Sequence, residues 1–204
     1  MEKLKAFLKR KNIVISAKRY GIDALGAMAQ GLFCSLLIGT IINTIGTQFH
    51  IPFLTQVVAT LGSGDHTISY TVGGLASAMS GPAMAVAIGY ALQAPPLVLF
   101  SLATVGFASN TLGGAGGPLA VLFIAIIAAE LGKAVSKETK VDILVTPLVT
   151  IFAGVALAAD DTITLGGLRA ANPATGLAAD DTLEARLDAQ HDWFLQNAGL
   201  EITI

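Results

Sequence analysis

Three stretches of this chain carry no Asp, Glu, Lys or Arg: Ala24 to Gly64, Thr67 to Ala129, and Ile143 to Ala159. A helix packed on a soluble core shows water a charged stripe every turn or two, so stretches this long do not fit an aqueous fold. A bilayer-spanning helix needs about 20 apolar residues, which leaves room for roughly two, three and one membrane segments in the three gaps. Composition agrees: 53% of the 204 residues are hydrophobic and 13% are charged, at a mean hydropathy of +0.70. Soluble chains carry roughly a quarter charged residues. The predicted fold class is all-α, a polytopic transmembrane helical protein with about five spans.

The charges that remain are sorted by position. All basic residues except Arg169 and Arg186 lie between Lys3 and Arg19 or between Lys133 and Lys140. Residues 1–22 read as a basic interfacial helix, with Leu4, Phe7, Leu8 and Ile15 near one face and Lys3, Lys5, Lys9, Arg10 and Lys11 available to lipid phosphates. The apolar run that follows continues to Gly46, longer than the apolar region of about 7 to 15 residues in a cleavable signal peptide. It is expected to stay as a first span. Positive segments stay in the cytoplasm, so an even number of crossings must separate the two basic regions. Spans at 24–46, 72–93, 96–111 and 116–133 supply them. A further span at 141–159 then leaves the acidic tail outside and the N-terminus in the cytoplasm. The expected organisation is a basic N-terminal helix (1–22), a membrane domain (23–159) and an acidic polar tail with a short helix (160–204).

Inside the membrane domain the local signals differ. The piece I-P-F-L-T-Q-V-V-A-T-L-G is too brief to cross and reads as a partial or lateral segment. Ser77, Gly81, Ala85 and Gly89 recur every four residues, a spacing that lets two helix backbones approach closely in lipid. Pro82 falls within that span and frees a backbone carbonyl. The run Leu97 to Ser109 is short and ends at S-N-T-L-G-G-A-G-G-P-L-A. A phosphate-binding loop is excluded there: no Lys-Ser or Lys-Thr follows Gly117, and Leu119 stands where G-x-G-x-x-G needs its third glycine. Two readings stay open, a tight turn between helices or a broken, re-entrant segment lining a cavity. On the second reading Ser109, Asn110 and the backbone of Gly113, Gly114, Gly116 and Gly117 would contact substrate, with Glu130 on the adjoining helix. Glu130 is also placed to pair with Lys133 or Lys137 near its helix end. Gln30, Asn43, Ser80 and Gln93 are further intramembrane polar groups, Asn43 reading as an interhelical hydrogen bond. Cys34, the single cysteine, reads as a small buried apolar residue. His50, His66 and His191 share no element with a carboxylate at ligand spacing, and Asp65-His66 reads as a solvated turn. No metal, cofactor or catalytic residue is expected.

The phrases K-A-F-L-K-R-K-N-I with K-R-Y-G-I-D-A-L-G-A-M-A, S-G-P-A-M-A-V-A-I-G-Y-A-L-Q-A-P-P-L-V-L-F-S, and K-A-V-S-K-E-T-K-V-D-I-L-V-T-P-L-V-T resemble the membrane permease subunit IIC of the bacterial phosphotransferase system. The similarity covers about residues 1–158, and the subgroup is the one that includes perfringolysin-regulator-like proteins. It implies a multi-pass sugar permease of the bacterial inner membrane. It implies a carbohydrate substrate phosphorylated during passage, IIA and IIB phosphocarrier domains as partners, and a homo-oligomer in the lipid bilayer. No nucleic acid is expected. The chain has no IIB-like cysteine loop and no phosphoacceptor histidine in a IIA-like context, so any part in phosphotransfer goes through those partners. Chains of that family continue with several more membrane helices, whereas this sequence turns at Ala159 into a polar segment. There L-A-A-D-D-T at Leu157 returns at Leu177, and Asp181 with Glu184 fits a capping box for a helix from about Thr182 to Gln196. The rest of the segment reads as polar loop. A membrane-bound regulator or sensor on a partial permease scaffold, and a structural membrane protein without ligand, are the alternative functions.

Overall fold

Nothing between Lys18 and Gln48 removes a backbone donor, and the segment forms one helix of 31 residues, α2, with widened π turns at Lys18–Asp23 and Phe33–Leu37. At 1.5 Å per residue it reaches about 46 Å, more than the hydrocarbon thickness of about 30 Å. The computed structural model describes residues 2–62, 67–138, 140–159, 167–172 and 177–182. It divides into two units, Met1–Ala159 and Asp160–Ile204.

In the first unit, α1 (Glu2–Arg10) precedes α2, and a short helix α3 (Pro52–Thr55) and an antiparallel hairpin, β1 (Ala59–Leu61) with β2 (Ile68–Tyr70), follow it. Then come α4 (Val72–Ala78), α5 (Ser80–Ala91), α6 (Pro96–Leu112), α7 (Gly117–Val135) and α8 (Asp142–Ala158). The N-terminal helix is shorter than expected. It ends at Arg10 because Asn12 takes a left-handed conformation (φ 55°), and Lys18 already belongs to α2. The expected partial segment at 47–70 is α3 and the hairpin.

Among the described residues two helices, Lys18–Gln48 and Gly114–Val135, are long and apolar enough to cross a membrane, or three spans if α4 and α5 count as one; α6 and α8 are shorter apolar helices. The helices α4 and α5 are bent by 49°. Pro82 causes this, because it offers no N–H to the Ala78 carbonyl and its ring crowds that turn, so the helix ends at Ala78 and restarts at Ser80. The break expected near the glycine cluster thus lies at Met79, and the cluster itself is a short turn.

Packing on α8 is inverted relative to a helix of a soluble bundle. On α8 the inward positions are Thr146, Thr150 and Gly154, while Ile143, Leu144, Leu148 and Phe152 stand exposed. Small residues inward and large apolar residues outward fit a bundle whose solvent is lipid, where apolar surface gains nothing by leaving the tails. Cys34, expected to be buried, is exposed on α2. The core comprises Met84, Ala85 and Ile88 of α5, Val98, Leu102 and Val105 of α6, and Val121, Ala125 and Ala128 of α7. α6 lies between α5, α7 and α8, and the first half of α2 packs along α5. The four-residue repeat explains the α5–α6 contact: a Cβ on Gly81 would strike the Gly106 carbonyl oxygen, and one on Gly106 would strike Gly81. The second half of α2 packs on α4, where the Thr71 hydroxyl caps the Gly74 N–H at 3.1 Å and donates to Asn43 Oδ1 at 2.8 Å. Asn43 therefore makes an interhelical hydrogen bond.

In the second unit, β3 (Gly167–Asn172) and β4 (Leu177–Thr182) pair antiparallel, Gly167 opposite Thr182. This corrects the expectation of loop there. Asp181 and Thr182, expected to open a helix, belong to β4, and the remainder of that helix lies outside the described residues, as do Asp65, His66 and His191. Of the repeated L-A-A-D-D-T, Leu157 and Ala158 close α8, whereas Leu177 begins β4.

Gly81→Leu is expected to destabilise the bundle by about 1 to 3 kcal/mol, the usual cost of overpacking, because the obstructing atoms are backbone. Gly89→Leu should cost less, since Leu99 and Leu102 side chains face it and can shift. Thermal unfolding in detergent measures both, and an unchanged midpoint for Gly81→Leu would contradict the closed α5–α6 seam.

Candidate functional site

Two polar regions lie at opposite ends of α6 and α7. The first is the glycine turn. Ser109 is buried and donates its hydroxyl back to the Val105 carbonyl at 2.7 Å. The Gly113 N–H bonds the Ser109 carbonyl at 2.9 Å and the Gly116 N–H bonds the Gly113 carbonyl at 2.9 Å. Gly114 has φ +50°, a conformation that glycine adopts without strain. A Cβ at Gly117 would lie 2.6 Å from the Asn110 carbonyl oxygen, so glycine there lets α7 start against α6. Around Gly114 and Gly116 an added Cβ would meet nothing within 4 Å, which leaves their backbone open.

Glu130 is not at this turn. It lies thirteen residues beyond Gly117 along α7, about 20 Å away at helical rise. The sequence-predicted set is thereby split: Ser109, Asn110, Gly113, Gly114, Gly116 and Gly117 come together, and Glu130 does not join them.

Glu130 belongs to a junction built from three distant segments. A pair of prolines, Pro95 and Pro96, prevents α5 from running on, and Gln93 (φ 55°) turns the chain back so that the Ala94 N–H reaches the Gly89 carbonyl at 2.9 Å. This leaves the Leu92 carbonyl pointing beyond the helix end, where the helix dipole is negative. Two cations meet it. Arg19 Nη2 donates at 2.6 Å and Lys133 Nζ at 3.1 Å. Lys133, 1% exposed, also donates to the Asn12 carbonyl at 3.0 Å and pairs with Glu130 Oε2 at 2.8 Å. Tyr20 donates its hydroxyl to Glu130 Oε1 at 3.1 Å. The amide of Asn12 reaches Gln93 Oε1, and Arg19 Nη1 reaches Asn12 Oδ1 at 3.3 Å. Glu130 has the ion-pair role open to it in sequence, with Lys133 as its partner.

Outside this junction the loop after α7 is tied to the end of α1. Glu138 Oε1 receives Lys11 Nζ at 2.6 Å and Arg10 Nη2 at 2.8 Å, and Lys11 also donates to the Ser136 carbonyl. Asp142 accepts the Lys137 N–H at 2.7 Å and the Thr146 hydroxyl at 2.6 Å. The hydrogen bond from Lys11, with Arg10 adding to it, holds the Glu138 carboxyl below its ordinary range. Among the described residues no group of His, Cys, Asp and Glu could hold a metal ion.

Residues 22–160 match the family model described as Phosphotransferase system, EIIC. The chain belongs to this family. No curated protein and no solved structure matches it. As an EIIC chain it is an integral membrane protein and a permease component of the sugar phosphotransferase system, whose EIIC members act on sugars with IIA and IIB partners. Its match begins within α2, at residue 22, so Arg10, Lys11, Asn12, Arg19 and Tyr20 precede the matched residues while Glu138, Lys133, the Leu92 carbonyl and Glu130, which they contact, lie within them. Sequence reading missed Arg19, Lys133 and the Leu92 carbonyl as one cluster. The available signal was a stop at L-Q-A-P-P together with a lysine one helical turn from the only carboxylate in an apolar run.

Breaking the buried pair one-sidedly costs about 3 to 5 kcal/mol, so Lys133→Met should sharply lower the unfolding midpoint of the EIIC chain in detergent. The double variant Glu130→Gln with Lys133→Met should recover part of it; a double variant as unstable as the sum of the singles would contradict direct pairing. Glu138 gives a pH test. Its folded carboxyl titrates below the unfolded one, so the tether to α1 stabilises above the ordinary carboxylate range and is lost as pH falls through the lowered value. Hydrogen exchange in α1 should rise on acidification, and a rise on moving alkaline from neutrality instead would contradict the assignment.

Proposed function

We propose that this EIIC chain binds a sugar and carries it across the bacterial inner membrane, the sugar being phosphorylated during passage by groups delivered from IIA and IIB partners. The match over residues 22–160 carries the reading. The inward Thr and Gly positions of α8 and the lipid-suited outer faces support it.

The chain crosses five times in this proposal, through α2, the bent pair α4–α5, α6, α7 and α8, with the N-terminus cytoplasmic and residues 160–204 outside. Support comes from the contacts Arg10 with Glu138 and Asn12 with Lys133, which put both basic regions at one end of the bundle. Four crossings between them meet the rule that positive segments remain cytoplasmic. The sugar contacts are Ser109, Asn110 and the backbone at Gly113, Gly114, Gly116 and Gly117. The open space at Gly114 and Gly116 supports this, since a ligand hydroxyl can approach the backbone there. Glu130 acts as the partner of Lys133 and stands apart from the sugar.

Vesicles containing the purified chain with IIA and IIB partners, tested across a sugar panel, should show saturable uptake and phosphorylated sugar inside. Binding without uptake would point to a sensor. Asn110→Ala should weaken sugar binding by about 1 to 3 kcal/mol, the cost of an unsatisfied polar partner, whereas Glu130→Gln should lower stability and leave binding unchanged. Equal affinity in Asn110→Ala and the parent would reduce the glycines to a turn. A Lys137→Cys variant should label only from the cytoplasmic side of intact cells, and labelling only from outside would overturn the topology.

A further inference from the structure

A cavity of about 290 Å³ lies at the mouth of the α1 end and the α7–α8 loop. Its wall carries four cations, Arg10, Lys11, Lys133 and Lys137, against one carboxylate, Glu138. Glu130 neutralises Lys133 from behind, and Glu138 is shared between Arg10 and Lys11, so the wall keeps a positive excess. Asp142 engages the Lys137 backbone N–H and the Thr146 hydroxyl rather than a lysine ammonium. A second observation points inward. Ser136, which also lines the cavity, is 3% exposed, and its hydroxyl has no hydrogen-bond partner among the described residues. A buried hydroxyl without a partner costs free energy that a ligand acceptor would recover.

We propose that this cavity is a phosphate-binding site, in which the Ser136 hydroxyl and the Lys137 and Lys11 ammonium groups contact the oxygens of one phosphate group. A phosphate fits on three counts. It brings several acceptor oxygens to a wall of donors, it carries the opposite charge, and it accepts a neutral hydroxyl alongside ammonium groups. The cavity volume leaves room for a substituent on the phosphate, so both a free phosphate compound and a phospholipid headgroup satisfy the chemistry. Arg10 and Lys11 come from the segment before the EIIC match, whereas Ser136 and Lys137 come from inside it. The site thus joins the N-terminal helix to the family domain, and its occupancy would hold α1 against the α7–α8 loop. It does not rest on the sugar-contact assignment at the glycine turn.

The test uses the full chain. In detergent, thermal unfolding is followed with sodium phosphate against sodium chloride at equal ionic strength; in nanodiscs, phosphatidylglycerol is compared with phosphatidylcholine. A rise in midpoint with phosphate identifies a free phosphate ligand, and a rise with phosphatidylglycerol but not with phosphate identifies a headgroup. Loss of one charge-assisted hydrogen bond should weaken binding about tenfold, so Ser136→Ala and Lys137→Met should each raise the apparent Kd by that factor. Lys18→Met, a change at an exposed lysine outside the cavity, should leave it unchanged. No phosphate or phosphatidylglycerol effect over the controls would overturn the site, as would an equal loss in Lys18→Met, which would mean non-specific charge.

Discussion

The Leu92 carbonyl is the point on which the bundle depends. Once Pro95 and Pro96 force α5 to stop, its last carbonyls have no helical partner, and Leu92 is fully buried, out of reach of water. Arg19 from the start of α2 and Lys133 from the end of α7 meet the same oxygen. Each brings further partners, Arg19 the side chain of Asn12 and Lys133 the Asn12 carbonyl and Glu130. One unsatisfied acceptor thus gathers α2, α5, α7 and the turn after α1. The charge on Lys133 is tolerable at 1% exposure because its donors are engaged and a carboxylate neutralises it.

Along the rest of the helices packing rests on a different constraint. Lipid tails solvate leucine as well as another leucine does, so apolar contact alone does not pull helices together, and close dispersion contact must. Gly81 against Gly106, Gly31 against Ala83 and Met84, and Gly132 against Thr150 and Val98 are approaches that any side chain would prevent. The hydroxyls on these faces bond their own helices, Thr150 to the Thr146 carbonyl and Ser101 to the Leu97 carbonyl, so they cost little when buried.

These two constraints differ in how far sequence reveals them. The charge-free stretches marked the membrane helices because exclusion of charge is a local property of each segment. The Gly81–Gly89 repeat was legible for the same reason, its period belonging to one helix. Pro82 announced a disturbance, but whether a proline kinks, bends or restarts a helix depends on what the freed turn packs against, and Met79 gave no sign of it. The glycine cluster was ambiguous because a tight turn and a cavity lining demand the same residue; the close approaches at Gly113 and Gly117 account for the turn, and the sugar contacts there stay a proposal. Lys133 read as part of a basic loop, since nothing local says that its partners are Asn12 and Leu92. The left-handed residues Asn12 and Gln93, which aim those carbonyls, are equally silent in sequence.

The consequence is a bundle with unlike ends. At the junction, directional contacts link residues far apart in the chain, so displacing any one helix there breaks ion pairs and charge-assisted hydrogen bonds together. Among the described residues the hydrogen bonds at the glycine turn are local to α6 and α7, and the Thr71–Asn43 bond between α4 and α2 is the directional link near that end. Local opening follows the path that breaks the fewest such contacts. The glycine end carries fewer directional contacts between distant helices than the Leu92 junction does.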